Sequence, residues 1–271
     1  MTTQDARYLK IVVDPIRVCA HYEPRFGQGL KGGGLNLTQF QTLYRGDSFY
    51  SWFGLDNPLM YAAHKAAGGM TSVYRQIGIG CEKLFRTILK DSFDLTAQDV
   101  IWSYRVPLAN GKARTLSLDG RLPLEKIANV TKRSRLHSWM LSYGKSIGIE
   151  PEVSKGLIGT VFEVRQGYKS KDAKRQNADI ANAATAYING YLPCAVILSA
   201  QIDGDILLRY RAERWGIVTG VEGTNDPLVS TYDFMREIVG YDLAAFFKRN
   251  SRTFRHEIDK VLKALLTPEK K

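Results

Sequence analysis

The sequence predicts an α/β protein with a mixed central sheet flanked by helices. Segments rich in β-branched and aromatic residues lie between segments whose apolar residues recur at helical spacing. Their order is helix, strand, strand, strand, helix, strand, which favours a sheet with helices packed on its faces. With 271 residues, 44% of them hydrophobic, the chain can bury a substantial core. We expect one domain over residues 1–271, with its core at about 78–202.

The first 60 residues are rich in glycine and aromatic residues. This content favours short strands and loops over a helical domain. The glycine-rich stretch at 27–36 lacks the Gly-Lys-Ser/Thr ending of a nucleotide-binding loop, so we interpret it as a surface loop. At strand spacing, Tyr50, Trp52 and Phe53 are expected to pack in a core, with stacking on nucleic acid bases as the alternative.

The first half of the predicted core contains two helices and a β-hairpin. Apolar residues recur at helical spacing at about 59–67 and 80–90. The segments VIWSYRVPL and ARTLSLDGRL flank Asn110-Gly111, a pair typical of a tight hairpin turn. Residues 124–155 follow as a predicted insertion with a helix around 137–145.

The second half of the core begins with LIGTVFEVRQGY, a strand by its β-branched and aromatic content. An Ala-rich helix is expected behind it, ending near Gly190, and CAVILSAQI at 194–202 predicts a further strand. The C-terminal addition, at about 232–266, is predicted to be helical.

Charge and cysteine content restrict the class of protein. Lys and Arg outnumber Asp and Glu by 38 to 27, a net charge of +11 that favours a polyanionic partner such as DNA, with RNA, anionic lipid or simple solubility as alternatives. The widely separated Cys19, Cys81 and Cys194 are expected to be reduced, buried thiols. We find no signal segment or membrane-spanning stretch and expect a cytoplasmic protein with no membrane partner.

Two acidic residues stand out within the predicted strands. Asp119 ends the second hairpin strand, and Glu163 lies between two apolar residues of the next one. A carboxylate in an apolar strand costs several kcal/mol unless a cation or hydrogen bonds compensate it. If the two strands are neighbours, both acids lie at one site, where carboxylates suit Mg²⁺.

With these residues, the core resembles the PD-(D/E)XK nuclease superfamily, which includes many type II restriction endonucleases. Leu118-Asp119-Gly120 matches the family's Asp motif, Phe162-Glu163-Val164-Arg165 its second motif, and Glu82 its helical acid. The resemblance covers about 78–202. It implies a restriction endonuclease-like core, a single nuclease domain, and Mg²⁺ held by Asp119, Glu163 and Glu82.

The sequence departs from the family pattern in two places. No proline precedes Asp119, and Arg165 occupies the usual lysine position. Because arginine stays protonated, Arg165 is suited to contact the phosphate but not to accept a proton. Lys169 and Lys171 are candidates for contacting the same phosphate if the chain bends at Gly167.

Each acid also has a structural interpretation. Asp119-Gly120 is a common turn pair. Glu82 is suited to complement a helix dipole or to pair with Arg86. Glu163 is suited to a salt bridge with a neighbouring arginine.

Two basic segments are candidate DNA-binding surfaces, with solvated faces as the alternative. One lies in the predicted insertion and the other at the start of the Ala-rich helix; their residues are Lys132, Arg133, Arg135, Lys174, Arg175, Gln176 and Asn177. The resemblance and the charge together predict a homodimeric, Mg²⁺-dependent type II restriction endonuclease that cuts double-stranded DNA at a short specific sequence. A repair or recombination nuclease, or a non-catalytic nucleic-acid-binding protein on the same scaffold, are the alternatives.

Overall fold

A computed structural model describes residues 3–26, 33–107, 113–167 and 182–268. The chain divides into two compact units, which we call the helical unit (1–80 with 248–271) and the sheet unit (81–247). The predicted mixture of helices with a mixed sheet is confirmed at this level.

The described parts of the helical unit are built from helices. They are α1 (Thr3–Val18), α2 (Leu37–Arg45), α3 (Ser48–Trp52), the first part of α4 (Pro58–Ser92) and the last part of α10 (Leu243–Leu266). The prediction of strands and loops over residues 1–60 is therefore wrong in the described segments. Glycine content was the misleading signal, whereas helix N-caps decide the local structure: Asn36 and Gln39 form a capping box, and Asp47 caps α3.

The two helices predicted between 59 and 90 are parts of one continuous helix, α4. Its glycines do not interrupt it, because they stand where neighbouring elements approach closely. A Cβ on Gly69 would lie 2.4 Å from Leu265 Cδ2, and one on Gly80 would lie 3.1 Å from the Cα of Val12. Packing of the helical unit thus requires small residues at positions where helix propensity disfavours glycine.

The sheet unit contains two sheets within its described residues. Strands β1 (Trp102–Pro107) and β2 (Ala113–Leu118) pair antiparallel, which confirms the predicted hairpin strands; the turn at Asn110-Gly111 lies outside the described residues. The second sheet has the order β3-β4-β5-β6, formed by Gly120–Pro123, Gly159–Arg165, Tyr191–Ile197 and Gly216–Val218. Strands β3 and β4 are antiparallel, and the other pairs are parallel. The strand predicted at 157–168 is confirmed as β4, and the one predicted at 194–202 is confirmed in part, because β5 begins at Tyr191 and ends at Ile197.

Helices cover both faces of this sheet, which suits the almost continuous burial of β4 and β5. On one face, Val161 belongs to a core cluster with Ala183 and Ala186 of a helix at 182–188, here α7. On the other face, Phe162 packs edge-on against Phe85 of α4. The helix predicted to end near Gly190 is confirmed at its end, where Gly190 has a φ of 76°.

Of the remaining helices of the sheet unit, the one at Val130–Ser146 and those after residue 230 lie where helices were predicted, whereas those at Pro151–Lys155 and Gly204–Ala212 were not predicted. Between β3 and β4 lie α5 (Val130–Ser146) and α6 (Pro151–Lys155), so the helix expected around 137–145 begins earlier than predicted. After α8 (Gly204–Ala212) come α9 (Thr231–Asp233) and a π-helical turn (Phe234–Val239). With α10, these make the region from 232 to 266 mostly helical, as predicted.

The cysteine prediction is confirmed, because Cys19, Cys81 and Cys194 are all free and buried. Within the described residues, no helix combines the length and the apolar character needed to span a membrane.

The Phe162 contact gives a test of the sheet unit. Phe162→Ala leaves a cavity between β4, α4 and the π-helical turn, so we expect a loss of about 3–5 kcal/mol in the free energy of unfolding. Urea denaturation followed by circular dichroism measures it. Leu208→Ala is the control, because Leu208 is 65% exposed and its removal should cost less than about 0.5 kcal/mol. Equal losses in the two variants would contradict the packing described.

Candidate active site

Asp119 lies at the bend between β2 and β3 and bonds to β4 on both sides of Glu163. Its backbone N–H donates to the carbonyl oxygen of Phe162 at 2.8 Å, and its carboxylate Oδ2 accepts from the N–H of Val164 at 2.8 Å. These bonds join residues more than 40 positions apart in the sequence. The backbones of the two predicted acids are therefore adjacent, as they were expected to be if their strands are neighbours.

Glu163 is buried, with 6% of its surface exposed, and its carboxylate forms an ion pair with the guanidinium of Arg165. The two residues are two positions apart on one strand, so they share a face of the sheet. This face also carries Val161 and is covered by α7. The predicted salt bridge with a neighbouring arginine is thus confirmed. It compensates a charge whose burial alone would be costly.

Arg86 is a residue of this site that the sequence interpretation did not assign to it. Its Nε donates to the carbonyl oxygen of Asp119 at 2.6 Å, so α4 holds the bend that carries the carboxylate. The sequence interpretation considered Arg86 only as a partner for Glu82, four residues earlier on the same helix. Nothing in local spacing indicated a bond to a residue 33 positions away.

Glu82 lies on α4 and is partly exposed. Its neighbour Cys81 is fully buried, and burial together with the charge of Glu82 raises the pKa of the Cys81 thiol to about 12. Cys81 is consequently a protonated, unreactive thiol near neutral pH.

No group of three or more His, Cys, Asp or Glu side chains among the described residues is arranged to hold a metal ion. The magnesium ligands Asp119, Glu163 and Glu82 accordingly stay a prediction. The geometric support for this prediction is the pair of hydrogen bonds from Asp119 to the backbone of Phe162 and Val164, the two neighbours of Glu163.

The predicted DNA-binding residues differ in what the structure says of them. Lys132 Nζ donates to the carbonyl oxygen of Ser92, and Arg133 donates to that of Ile127, so both side chains anchor the start of α5. Arg135 lies on the same helix and is half-buried. The other predicted DNA-binding residues, Lys174, Arg175, Gln176 and Asn177, lie outside the described residues, as do Lys169 and Lys171, which were predicted to contact the scissile phosphate.

The aromatic residues at 50, 52 and 53, in and directly after α3, do not form a core, contrary to the expectation from strand spacing. Trp52 is 81% exposed and Phe53 is 68% exposed. The segment is a short helix, so the alternation expected of a strand does not apply. Tyr50 is also exposed and stacks on Tyr44, with ring centroids 5.0 Å apart.

Comparison of the chain with protein-family models, with curated proteins and with solved structures finds no match. The interpretation of the site accordingly depends on its residues and their geometry.

The hydrogen bond from Val164 to Asp119 predicts a difference between two substitutions. Asp119→Ala removes the acceptor and leaves a backbone N–H of a buried strand without this partner, which should lower the free energy of unfolding by about 1–3 kcal/mol. Asp119→Asn keeps a carbonyl oxygen in place and should lose less than half as much. Urea unfolding of both variants measures the difference. Equal losses would show that the bond does not contribute to stability.

Proposed function

We propose that this chain is a cytoplasmic, Mg²⁺-dependent type II restriction endonuclease that hydrolyses phosphodiester bonds of double-stranded DNA at a short specific sequence. The observation that carries the proposal is the pair of bonds from Asp119 to the two neighbours of Glu163. These bonds support the proposal because they connect the bend that carries Asp119 to the backbone of β4 directly before and after Glu163. The mixed sheet with helices on both faces supports the proposed restriction endonuclease-like core.

The residues present are suited to Mg²⁺ by their chemistry. The ion commonly takes one or two protein carboxylates and completes its coordination with water and phosphate oxygens. In this proposal Asp119 and Glu163 bind it and Glu82 assists. Bound there, Mg²⁺ would neutralise phosphate charge and lower the pKa of a coordinated water.

The side chains around the two carboxylates have positioning roles in this proposal. The N–H of Val164 fixes the orientation of the Asp119 carboxylate, and Arg86 donates to the Asp119 backbone carbonyl. Arg165 balances the buried charge of Glu163 and stays protonated at working pH, so it is suited to stabilise phosphate charge but not to act as a base. Lys169 and Lys171 are proposed to contact the scissile phosphate.

A homodimer is part of the proposal, because cutting both strands of a symmetric site needs two active sites. We propose the exposed surface of Phe49, Trp52, Phe53 and Leu59 as the contact between copies. Aromatic residues are enriched in protein interfaces. Residues 46–59 carry two acids and no Lys or Arg, so two chains of charge +11 meet there without local repulsion.

The dimer surface is tested by Trp52→Ser with Phe53→Ser. We expect the double variant to be monomeric by sedimentation analysis at micromolar concentration, while the native protein is dimeric. Ile188→Ser is the matched control, because Ile188 is equally exposed but lies in the sheet unit. An unchanged sedimentation coefficient in the double variant would overturn this assignment.

The proposed activity is tested by incubating the protein with phage DNA and Mg²⁺. Discrete DNA bands are expected from the native chain. Asp119→Asn and Glu163→Gln should each reduce the cleavage rate by more than about 100-fold, since even residues that only orient metal ligands are worth about 10- to 100-fold.

Glu125→Gln is the control for these variants, because Glu125 is an exposed acid of the same unit. It should cut at the native rate. Undiminished cutting by the Asp119 and Glu163 variants would contradict the site, and cutting of branched or single-stranded DNA alone would favour a repair or recombination nuclease.

A further inference from the structure

The positive charge of the chain is concentrated in the helical unit. Residues 1–80 and 248–271 contain 16 Lys and Arg against 8 Asp and Glu, a net charge of +8. The sheet unit, with 22 Lys and Arg against 19 Asp and Glu, accounts for the other +3. The unit that contains Asp119 and Glu163 is therefore not the main source of attraction for a polyanion.

Within the helical unit, α10 presents a basic face. Lys248, Arg252 and Arg255 are exposed and spaced four and three residues apart, which places them on one side of the helix. Val261 and Leu265 are buried on the side that packs within the unit. At about 1.5 Å per residue, the basic face extends for about 10 Å, which matches the axial rise of about three nucleotides of one DNA strand.

The basic residues of α10 fall into two groups by their ion pairs. Lys263 Nζ lies 2.7 Å from Asp259, and Lys260 Nζ lies 3.9 Å from Glu257. For Arg252 and Arg255, in contrast, the described residues provide no hydrogen bond or ion pair to either guanidinium. Two guanidinium groups one turn apart repel each other, and a bound anion relieves this repulsion.

The chemistry of this face favours phosphate of a nucleic acid over a membrane surface. A helix that lies on a membrane needs a large apolar face to insert between lipids. The large apolar residues of α10 are instead buried or partly buried, and Leu266 is the one of them that is strongly exposed among the described residues. Arginine, in addition, matches phosphate oxygens with two parallel N–H donors.

We propose that Lys248, Arg252 and Arg255 of α10 bind the phosphate backbone of double-stranded DNA independently of its sequence. This surface is distinct from the Asp119–Glu163 site and from the basic segments predicted in the sheet unit. This proposal rests on the proposed function in one respect, namely that DNA is chosen as the polyanion. Its contribution is to affinity and to the rate of encounter, since phosphate contacts carry no sequence information.

The test compares two double variants of the full chain, Arg252→Gln/Arg255→Gln and the matched control Lys260→Gln/Lys263→Gln. Both remove two positive charges from α10, but the control residues are already paired with acids. Binding to a fluorescent DNA duplex is measured without divalent metal over a series of salt concentrations. The slope of log K against log salt should decrease in magnitude by about 1.8 in the arginine variant, at about 0.9 per phosphate contact, and by less than half of that in the control.

Arg252→Lys/Arg255→Lys should largely restore the slope, which excludes loss of folding as the cause. Equal slopes in the arginine and control variants would overturn the proposal. A loss of binding to vesicles of anionic phospholipid, with DNA binding unchanged, would also overturn it. If the arginine variant changes the slope but the native protein never cuts DNA, the proposed nuclease is contradicted and this surface is not. If the native protein cuts DNA but the arginine variant leaves the slope unchanged, this surface is contradicted and the nuclease is not.

Discussion

The negative charge of Glu163 is buried in the second strand of the four-stranded sheet, where water cannot stabilise it. Arg165 on the same strand supplies the opposite charge, and the adjacent backbone N–H of Val164 is occupied by the Asp119 carboxylate. The hairpin and the central sheet thus meet at a polar cluster inside an otherwise apolar layer. Such a cluster costs stability unless every member is compensated, so its geometry is closely constrained.

The elements around this cluster hold it from different directions. The carbonyl of Asp119 accepts from Arg86, which connects the bend to α4, and Phe85 of the same helix packs on Phe162. The helix α4 and the strand β4 therefore fix the position of the bend that carries this carboxylate. A site held in this way is preorganised, because moving the carboxylate requires breaking bonds to separate elements.

The helical unit depends on interactions of another kind. Arg17 binds Glu257 through two hydrogen bonds, 2.8 Å from Nε and 2.7 Å from the terminal nitrogen. The hydrogen bonds from Arg17 hold the pKa of Glu257 below its usual value, so this ion pair persists until the pH falls through that lowered pKa. Glu257 is thus paired with Arg17, and Asp259 with Lys263, so neither acid pairs with Arg252 or Arg255. The exposed cations Arg252 and Arg255 thus belong to the helical unit, whereas Asp119, Glu163 and Arg165 belong to the sheet unit.

The sequence by itself determined the parts of this protein that depend on local pattern. The turn pair Asn110-Gly111 predicted the hairpin strands, and β-branched and aromatic content predicted β4, because such residues fit a pleated, buried surface. Glu163 was recognisable as a buried charge from its apolar neighbours. Local pattern was misleading over residues 1–60, because glycine content indicated loops where the described segments form helices with N-caps. It was also misleading at Trp52, which was expected to be buried in a strand but is exposed on a short helix.

Only the tertiary structure decided how the site is assembled. The bonds from Asp119 to Val164 and from Arg86 to Asp119 join residues 45 and 33 positions apart, and no local periodicity encodes such pairs. The same holds for Gly69 and Gly80, which are helix-weakening residues until a neighbouring element packs against them. The pattern of apolar residues in the sequence indicates which residues are buried. Strand register and helix packing then decide which of the buried groups contact each other.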